Sequence, residues 1–420
     1  MNLSENIEKT KLKKNKFRLI FLIVIALIIL SVFLAYKKIN NENRISSEED
    51  ITVLDKKEAE FILGESLYGS FGVVHLLGDK IPLKFDINKV EKENKEEFDI
   101  SLRKRIIELL NMPLPKIPVS AANSENLFYE LQEEKEYEKY TEKRIMMLTS
   151  NITFAIVYLM IPKNVEFPAP GIMAMHQHGD EKFGIKEIAG KIGDPTLSYA
   201  KDLAERGYVV LAVEADSFGY RRENENNSKE IKERVDAQGL ILRGTSPFAV
   251  IVQEDWVGLE VLMSLDIVDK NNIGCIGHSF GGIRCLYLSA LDKRIKSTVI
   301  SGAVGKLRKN PKSGITQTWL SIFPGIAEEV GTKEILGLIA PRYLLVLAGE
   351  KDPIYPPFEA EENLRAVKGL YERLEKENNL VPVFMPEYSH EFPEKYQEEI
   401  VYPFLDLTLK NKGNININNK

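Results

Sequence analysis

A serine placed between two glycines is the feature that most constrains this chain. Residues 273–282 begin as a short apolar run and reach Ser279, which has a glycine two positions away on either side. Residues 283–290 then repeat apolar side chains at helical spacing. A strand, a sharp turn and a helix therefore meet at Ser279. This is the layout of a G-x-S-x-G nucleophile elbow, in which the turn leaves no room for side chains at the glycines and exposes the serine hydroxyl.

Apolar strands alternate with helical patterns on both sides of this turn. Residues 208–213 are continuously apolar, as expected of a strand buried on both faces. Residues 343–348 form a second such run, and helical patterns at 248–264 and 357–376 separate the strands. The alternation predicts an α/β fold, a mostly parallel sheet with helices on both faces. The residues before it are predicted to form a transmembrane helix and an N-terminal extension.

Composition excludes several classes of protein. The 420 residues are 44% hydrophobic and 28% charged, which is typical of a globular protein. The net charge of -6 gives no basic field for binding nucleic acid. The only two cysteines, Cys275 and Cys285, flank the elbow at core-like positions and form no metal or redox motif, which favours buried free thiols.

The N-terminus carries the signals of a membrane anchor. Residues 1–18 are polar and basic and are predicted to be cytoplasmic. Residues 19–36 are apolar apart from Ser31, which is just long enough to span a bilayer as a helix. The poor cleavage site at 33–35 favours an uncleaved single-pass anchor over a secreted protein with a cleaved signal peptide. The excess of Lys and Arg before the segment predicts that the rest of the chain lies outside the membrane.

The remainder divides into four segments by pattern. Residues 37–50 are polar and are interpreted as a tether. Residues 51–143 form an N-terminal extension in which no chemistry is visible. Residues 144–410 carry the strand–helix alternation and are predicted to be the catalytic domain. Residues 411–420 are asparagine-rich and are expected to be a frayed tail.

A serine nucleophile needs a base, and the base needs a carboxylate to orient it. In the chain order expected for this elbow the acid and then the base follow the serine. His390 is the only histidine after Ser279 and follows a strand. The acid is expected after the penultimate strand, where Asp352 precedes a proline and Glu350 is the alternative.

The developing negative charge needs two backbone N–H groups, an oxyanion hole. The residue after the nucleophile, Phe280, supplies one of them. The second is expected from the loop after the strand at 171–175, where Gly179 and Asp180 are both candidates. The sequence does not distinguish these two residues.

The chain resembles the α/β-hydrolase superfamily, and within it the dienelactone-hydrolase-like and acetyl-xylan-esterase-like group. The resemblance implies a triad of Ser279, Asp352 and His390 that cleaves small-molecule esters through an acyl-enzyme, without cofactor or metal. It also implies that Asp216 and Arg221 brace the loop beside the site. Dienelactone hydrolases proper use cysteine as the nucleophile, so the serine favours an esterase. The matching pieces lie at residues 176–179, 207–210, 216–221, 268–269, 277–282, 340–342, 349–356 and 389–392.

Three other interpretations compete with the esterase. The pattern His176-x-His178-x-Asp180 is similar to the first ligands of a binuclear metallohydrolase, although too few further histidines follow. A serine peptidase of the oligopeptidase-like group shares the elbow. A catalytically silent binding domain on the same fold is the third, since fold does not imply function. The natural ester and the oligomeric state are not encoded in any recognisable motif.

Overall fold

The computed structural model describes residues 83–112, 129–150, 153–180, 182–221, 229–307 and 318–411, without the side chains of 229–232. All of them belong to one compact unit that spans 68–420. The predicted cytoplasmic segment, the transmembrane segment at 19–36, the tether and nearly all of the tail lie outside these residues. Of the helices in the described ranges, none has both the length and the apolar character to cross a bilayer.

The described residues form a sheet of nine strands. In space the strands follow the order β1-β2-β3-β5-β4-β6-β7-β8-β9. Their bounds are β1 Tyr129–Glu136, β2 Tyr140–Leu148, β3 Phe154–Pro162, β4 Ala169–Met175, β5 Val209–Val213, β6 Val268–His278, β7 Ile295–Ser301, β8 Tyr343–Gly349 and β9 Leu380–Met385.

Helices fill most of the connections between these strands. They are α1 Lys95–Leu110, α2 Ile185–Ile188, α3 Tyr199–Glu205, α4 Lys229–Ile241, α5 Pro247–Ser264, α6 Phe280–Leu291, α7 Ile326–Glu329, α8 Thr332–Gly337, α9 Pro357–Arg373, α10 Glu394–Tyr396 and α11 Tyr402–Lys410. A π-helical segment, Gln397–Val401, joins α10 to α11.

Strand direction divides the sheet into two parts. The six strands β4 to β9 pair in parallel. Strands β1, β2 and β3 are antiparallel to their neighbours and form one edge. The predicted mostly parallel α/β sheet is therefore confirmed.

Alternate residues of the strands face two separate cores. In β5, Val209, Leu211 and Val213 pack into a core that includes side chains of α1, α5, α6, α8 and α9. Val210 and Ala212 of the same strand face a core that includes side chains of α2, α3 and α11. The sheet is thus covered by helices on both faces, which explains why its central strands are apolar at every position.

The compact unit begins before the expected boundary between residues 143 and 144. That boundary falls inside β2, whose charged neighbour β1 is an exposed edge strand. Helix α1 buries Leu102, Ile106 and Leu110 in the same core as the parallel strands. Arg103 fixes this helix, since it donates to the carbonyl oxygens of Ala290 (2.7 Å) and Leu338 (2.8 Å). Residues 83–112 are therefore part of the packed unit.

A buried ion pair ties the elbow helix to its neighbours. Arg284 of α6 donates to both carboxylate oxygens of Asp255 in α5, at 2.9 and 2.5 Å, and to the carbonyl oxygen of Val213 at 2.8 Å. The two charged side chains are 0% and 1% exposed. Neither side chain reaches water, so each charge depends on the other for its compensation.

We predict that Asp255→Ala lowers the free energy of unfolding by about 3–5 kcal/mol, because it leaves the Arg284 charge buried without a partner. Urea unfolding of the full chain measures this change. The double replacement of Asp255 by Leu and Arg284 by Met should cost less than the single one.

The matched control for this pair is Arg365→Ala. Arg365 pairs with Glu361 on the surface, where the side chains are 75% and 61% exposed. Exposed pairs of this kind contribute about 0–1 kcal/mol. Equal losses in the Asp255 and Arg365 variants would contradict the role given to the buried pair.

Candidate active site

Steric contacts make both glycines of the elbow obligatory. A Cβ atom on Gly277 would lie 2.3 Å from the backbone of Gly281, and a Cβ on Gly281 would lie 2.0 Å from the carbonyl oxygen of Met175. Real Cβ atoms do not approach backbone atoms so closely, so any side chain here would force the elements apart. The end of β6, the start of α6 and the end of β4 therefore meet around Ser279.

Ser279 occupies a strained backbone conformation at this meeting point. Its φ of 54° and ψ of -122° are uncommon for a residue with a side chain. Its N–H donates to the carbonyl oxygen of Ser301 at the end of β7, at 2.8 Å, and its own carbonyl accepts from the N–H of Ile283, at 3.1 Å. The turn is thus held by both the sheet and the helix, which offsets its strain and fixes the side chain at the edge of the sheet.

A chain of hydrogen bonds links Ser279, His390 and Asp352. His390 Nδ1 lies 2.7 Å from Asp352 Oδ2, and His390 Nε2 lies 2.7 Å from Ser279 Oγ. A carboxylate only accepts hydrogen bonds, so Nδ1 carries the proton and Nε2 presents its lone pair to the serine hydroxyl. The structure therefore brings the three side chains together in the order that a hydroxyl nucleophile needs.

Backbone contacts bring the aspartate and histidine loops together. A Cβ on Gly349, at the end of β8, would lie 2.0 Å from the carbonyl oxygen of Ser389. The N–H of Lys351 donates to the carbonyl oxygen of Tyr388 at 3.0 Å. The alternative acid, Glu350, is exposed and its N–H donates to β9, so Asp352 is the carboxylate that reaches His390.

Asp352 is held as an anion although it is buried. Burial by itself would raise its pKa, but hydrogen bonds from His390 and from the N–H groups of Tyr355 and Ile354 leave the pKa below its ordinary value. The two N–H groups lie 2.9 and 2.7 Å from Oδ1, so Oδ2 remains for the histidine. This carboxylate can therefore orient His390 and stabilise a positive charge on it.

A second histidine lies directly against His390. The rings of His278 and His390 have centroids 5.0 Å apart, and His278 also stacks on Phe392, with centroids 5.7 Å apart. His278 Nδ1 lies 3.1 Å from the hydroxyl of Ser301. Burial, with a smaller contribution from His390, lowers the pKa of His278 to about 3. His278 is thus a neutral wall of the site at physiological pH.

The loop after β4 lies against the start of α6. Because Gly281 touches the carbonyl of Met175, the loop that contains Gly179 and Asp180 begins beside the N-terminus of that helix. Gly179 has a φ of 37°, and the Asp180 carboxylate accepts from the N–H of Lys182 at 2.9 Å. Phe280 opens the helix, where backbone N–H groups have no partner within the helix. Both halves of the expected oxyanion hole therefore lie at one end of the sheet.

Two buried side chains brace this loop from behind. Gln177 donates to the Glu187 carboxylate, which also accepts from the N–H of Asp194 at 3.1 Å. Tyr199 donates to the carbonyl oxygen of Met175 at 2.6 Å. Burial raises the pKa of Glu187. These contacts fix the loop on the rigid end of β4.

The histidines of the 176–180 pattern have structural partners. His176 Nδ1 lies 2.7 Å from the carbonyl oxygen of Gln177, and its Nε2 accepts from the N–H of Ala215 at 3.1 Å. His178 Nε2 lies 2.7 Å from Glu233 Oε1. Across the described ranges, no three His, Cys, Asp or Glu side chains form a group that could hold a metal ion. The contacts of His176 explain its burial without a metal.

Arg221 is anchored mainly by a residue that the sequence did not indicate. It donates to both carboxylate oxygens of Glu254 in α5, at 2.6 and 2.9 Å, and to the carbonyl oxygen of Glu214 at 3.1 Å. Asp216 is farther away, with Oδ1 3.8 Å from Arg221 Nη2. Arg221 therefore holds the segment after β5 to α5, and Asp216 contributes at longer range.

Three residues in or near the site were given no role by the sequence reasoning. His278 is the variable residue of the elbow motif, and Glu254 is one of several acidic residues in a long helical pattern. Tyr355 stacks on His390 with centroids 5.7 Å apart, and its position three residues after Asp352 is the one available signal. The contacts of these three side chains are visible only in the structure.

The comparisons with solved structures show the fold, and a sequence comparison adds a related protein. No family model matches the chain. The chain is 29% identical over 262 residues to YtaP of Bacillus subtilis (strain 168), a protein provisionally named as a hydrolase. The aligned region covers 60% of this chain and 81% of YtaP. The crystal structure of a Bacteroides fragilis NCTC 9343 protein, provisionally an acetyl xylan esterase, has 18% identity and a TM-score of 0.62 over 76% of this chain and 82% of that chain.

The solved structure of a glucuronoyl esterase from Solibacter usitatus superposes on this chain with a TM-score of 0.57 at 15% identity. The superposition covers 78% of this chain and 99% of the esterase. At these identities the likeness of the two solved structures shows the fold alone. The chain therefore shares the α/β fold of both solved structures.

We predict that His278 makes the stability depend on pH. Its pKa is about 3 in the folded chain against an ordinary 6.5, so between these values the unfolded chain binds a proton that the folded chain does not. The free energy of unfolding should therefore fall as the pH falls from about 6.5, by at most about 1.4 kcal/mol per pH unit.

The variant His278→Gln keeps a polar side chain but does not titrate. Urea unfolding from about pH 7 to about pH 5 should show a shallower decrease for this variant than for the parent. Equal slopes in the two proteins would contradict a neutral, buried His278.

Proposed function

We propose that this protein is a serine hydrolase that cleaves carboxylic esters through an acyl-enzyme. The observation that carries the proposal is the 2.7 Å contact between His390 Nε2 and Ser279 Oγ, with the 2.7 Å contact to Asp352 behind it. The provisional hydrolase name of YtaP and the esterase names of the solved structures are consistent with the same class.

In the first half-reaction, the Ser279 oxygen bonds to the ester carbonyl carbon while His390 Nε2 takes the hydroxyl proton. The carbonyl oxygen becomes negative and is stabilised by the N–H of Phe280 and by that of Gly179 or Asp180. When the carbon–oxygen bond to the alcohol breaks, His390 returns its proton to the leaving oxygen. The acyl group then remains bound to Ser279.

In the second half-reaction, His390 removes a proton from water as the water oxygen attacks the acyl carbon. The attack gives a tetrahedral intermediate. When its bond to the Ser279 oxygen breaks, the carboxylic acid is released and His390 returns the proton to Ser279. The Asp352 carboxylate holds the imidazole tautomer in both steps and stabilises the imidazolium.

We predict that Ser279→Ala lowers kcat/KM for p-nitrophenyl acetate by about 10⁴-fold or more, because the nucleophile is lost. Asp352→Asn should lower it by about 10³-fold or more, because an amide donor favours the wrong histidine tautomer. Steady-state hydrolysis by the purified full chain measures both.

The matched control is Glu350→Gln, which changes an exposed carboxylate two residues from Asp352 and should keep the parent rate. Trapping of an acyl group on Ser279 by mass spectrometry would support the covalent step. A parent rate in Ser279→Ala would overturn the proposed mechanism.

We also propose that residues 19–36 anchor the enzyme in the cell membrane, with residues 1–18 cytoplasmic and the hydrolase domain outside. The support is the sequence alone: an apolar stretch of helix-spanning length that follows a cluster of lysines and arginines.

The anchor predicts that the full chain sediments with membranes and is released by detergent but not by high salt, because an apolar span does not depend on surface charge. A variant that lacks residues 1–36 should be recovered in the soluble fraction. Protease added to intact cells should cleave the hydrolase domain. A soluble chain that begins after residue 36 would indicate signal cleavage instead.

A further inference from the structure

A cavity of about 330 Å³ lies along the elbow helix. Its size is within the range of pockets that bind small molecules, about 300–1,000 Å³. Its walls come from α6, from residues 303–307 after β7, from the segment 321–335 and from Tyr355. Most of the lining side chains are apolar and include Ile283, Leu286, Ile322, Phe323, Ile326 and Ile335.

Three residues of the wall, or their direct neighbours in the chain, contact Ser279 or His390. Ile283 lies one helical turn after Ser279 and donates its N–H to the carbonyl of that residue, at 3.1 Å. Tyr355 stacks on the ring of His390, with planes 21° apart. Ala303 follows Gly302, whose missing Cβ would lie 3.3 Å from a ring carbon of His390. The cavity therefore lies next to residues that contact Ser279 and His390.

Three polar side chains of the wall already bind other parts of the chain. Thr332 Oγ1 donates to the carbonyl oxygen of Gly305 at 2.5 Å, and Ser321 Oγ donates to that of Thr318 at 3.0 Å. Lys306 Nζ lies 2.8 Å from the carboxylate of Glu362. The hydroxyl groups of a sugar would lose water here and find mainly apolar partners, which is unfavourable.

We propose that this cavity binds an aliphatic chain of the substrate, so that the preferred substrates are esters with a medium-length alkyl chain rather than acetylated sugars. The inference rests on the proposed ester hydrolysis at Ser279. The alkyl chain can belong to the acid or to the alcohol of the ester, and burial in an apolar cavity stabilises both in the same way.

The test measures kcat/KM of the purified full chain in two series. One series lengthens the acyl group of p-nitrophenyl esters from acetate to octanoate, and the other lengthens the alcohol of alkyl acetates from methyl to octyl. In at least one series kcat/KM should rise by about fourfold for each added methylene that the cavity buries, up to about hexyl length. The responsive series identifies the side of the ester that enters the cavity.

Two variants connect this selectivity to the cavity. Ile326→Trp fills the cavity from its wall, and Ile322→Asp places a charge in the lining at a position that is 39% exposed and therefore tolerant of a polar residue. Both should lower kcat/KM for the best long-chain ester by about tenfold or more while the acetate rate stays near that of the parent. The matched control is Ile192→Asp, because Ile192 is 40% exposed and lies outside the cavity wall.

The outcomes separate this inference from the proposed function. If both series are flat or fall beyond acetate, or if acetylated sugars are the better substrates, the alkyl-chain assignment is overturned while ester hydrolysis stands. The assignment is also overturned if folded Ile322→Asp keeps the full long-chain preference. If Ser279→Ala hydrolyses p-nitrophenyl acetate at the parent rate, it is the proposed function that fails.

Discussion

The contact between Gly281 and the carbonyl of Met175 determines the geometry of the whole site. A side chain at 281 would collide with that carbonyl at 2.0 Å, so helix α6 can start directly against the end of β4 only because the residue is glycine. This contact places the Phe280 amide beside the loop at 176–180 and turns Ser279 out of the sheet. In this position Ser279 adopts a strained backbone conformation with a positive φ, and the hydrogen bond to Ser301 helps to maintain it.

The second constraint is the convergence of the loops after β8 and β9. Ser279 and His390 are 111 residues apart in the chain, and Asp352 and His390 are 38 apart. Parallel strands end at the same edge of a sheet, so loops that are distant in sequence meet there. The close approach of Gly349 to Ser389 then fixes the distance between the acid and the base to within hydrogen-bond reach. Elements of the rigid sheet thereby hold the three side chains in position before any substrate binds.

The sequence could predict those parts of the molecule that short stretches encode. The strand-and-helix alternation follows from periodicity within each segment, and His390 follows from being the only histidine after Ser279. The membership of α1 in the core depended instead on distant partners, such as the carbonyls that Arg103 binds. The bond from Arg221 to Glu254 also escaped, because it depends on how α5 packs beside β5 rather than on any local pattern.

The strand order is another part that local patterns did not encode. β3 pairs with β5 rather than with β4, which follows it in the chain. The apolar cavity belongs to the same group, since its walls come from four separate segments between residues 283 and 355. Both the strand order and the cavity are decided by the packing of the whole sheet. A single stretch of sequence contains only one of the strands that pair, or only one wall of the cavity.

The neutral charge state of His278 affects how easily His390 can take a proton from Ser279. When an imidazolium forms on His390 during proton transfer, a second positive ring 5.0 Å away would oppose it by about 3 kcal/mol at an effective dielectric constant of about 20. Burial keeps His278 neutral, so this repulsion is absent at physiological pH. Asp352, in contrast, stays anionic despite its burial, because N–H groups and His390 hydrogen-bond to it. The neutral His278 ring thus forms a wall beside His390, and within the described ranges the negative charge that contacts the His390 ring is the Asp352 carboxylate, which stabilises the imidazolium.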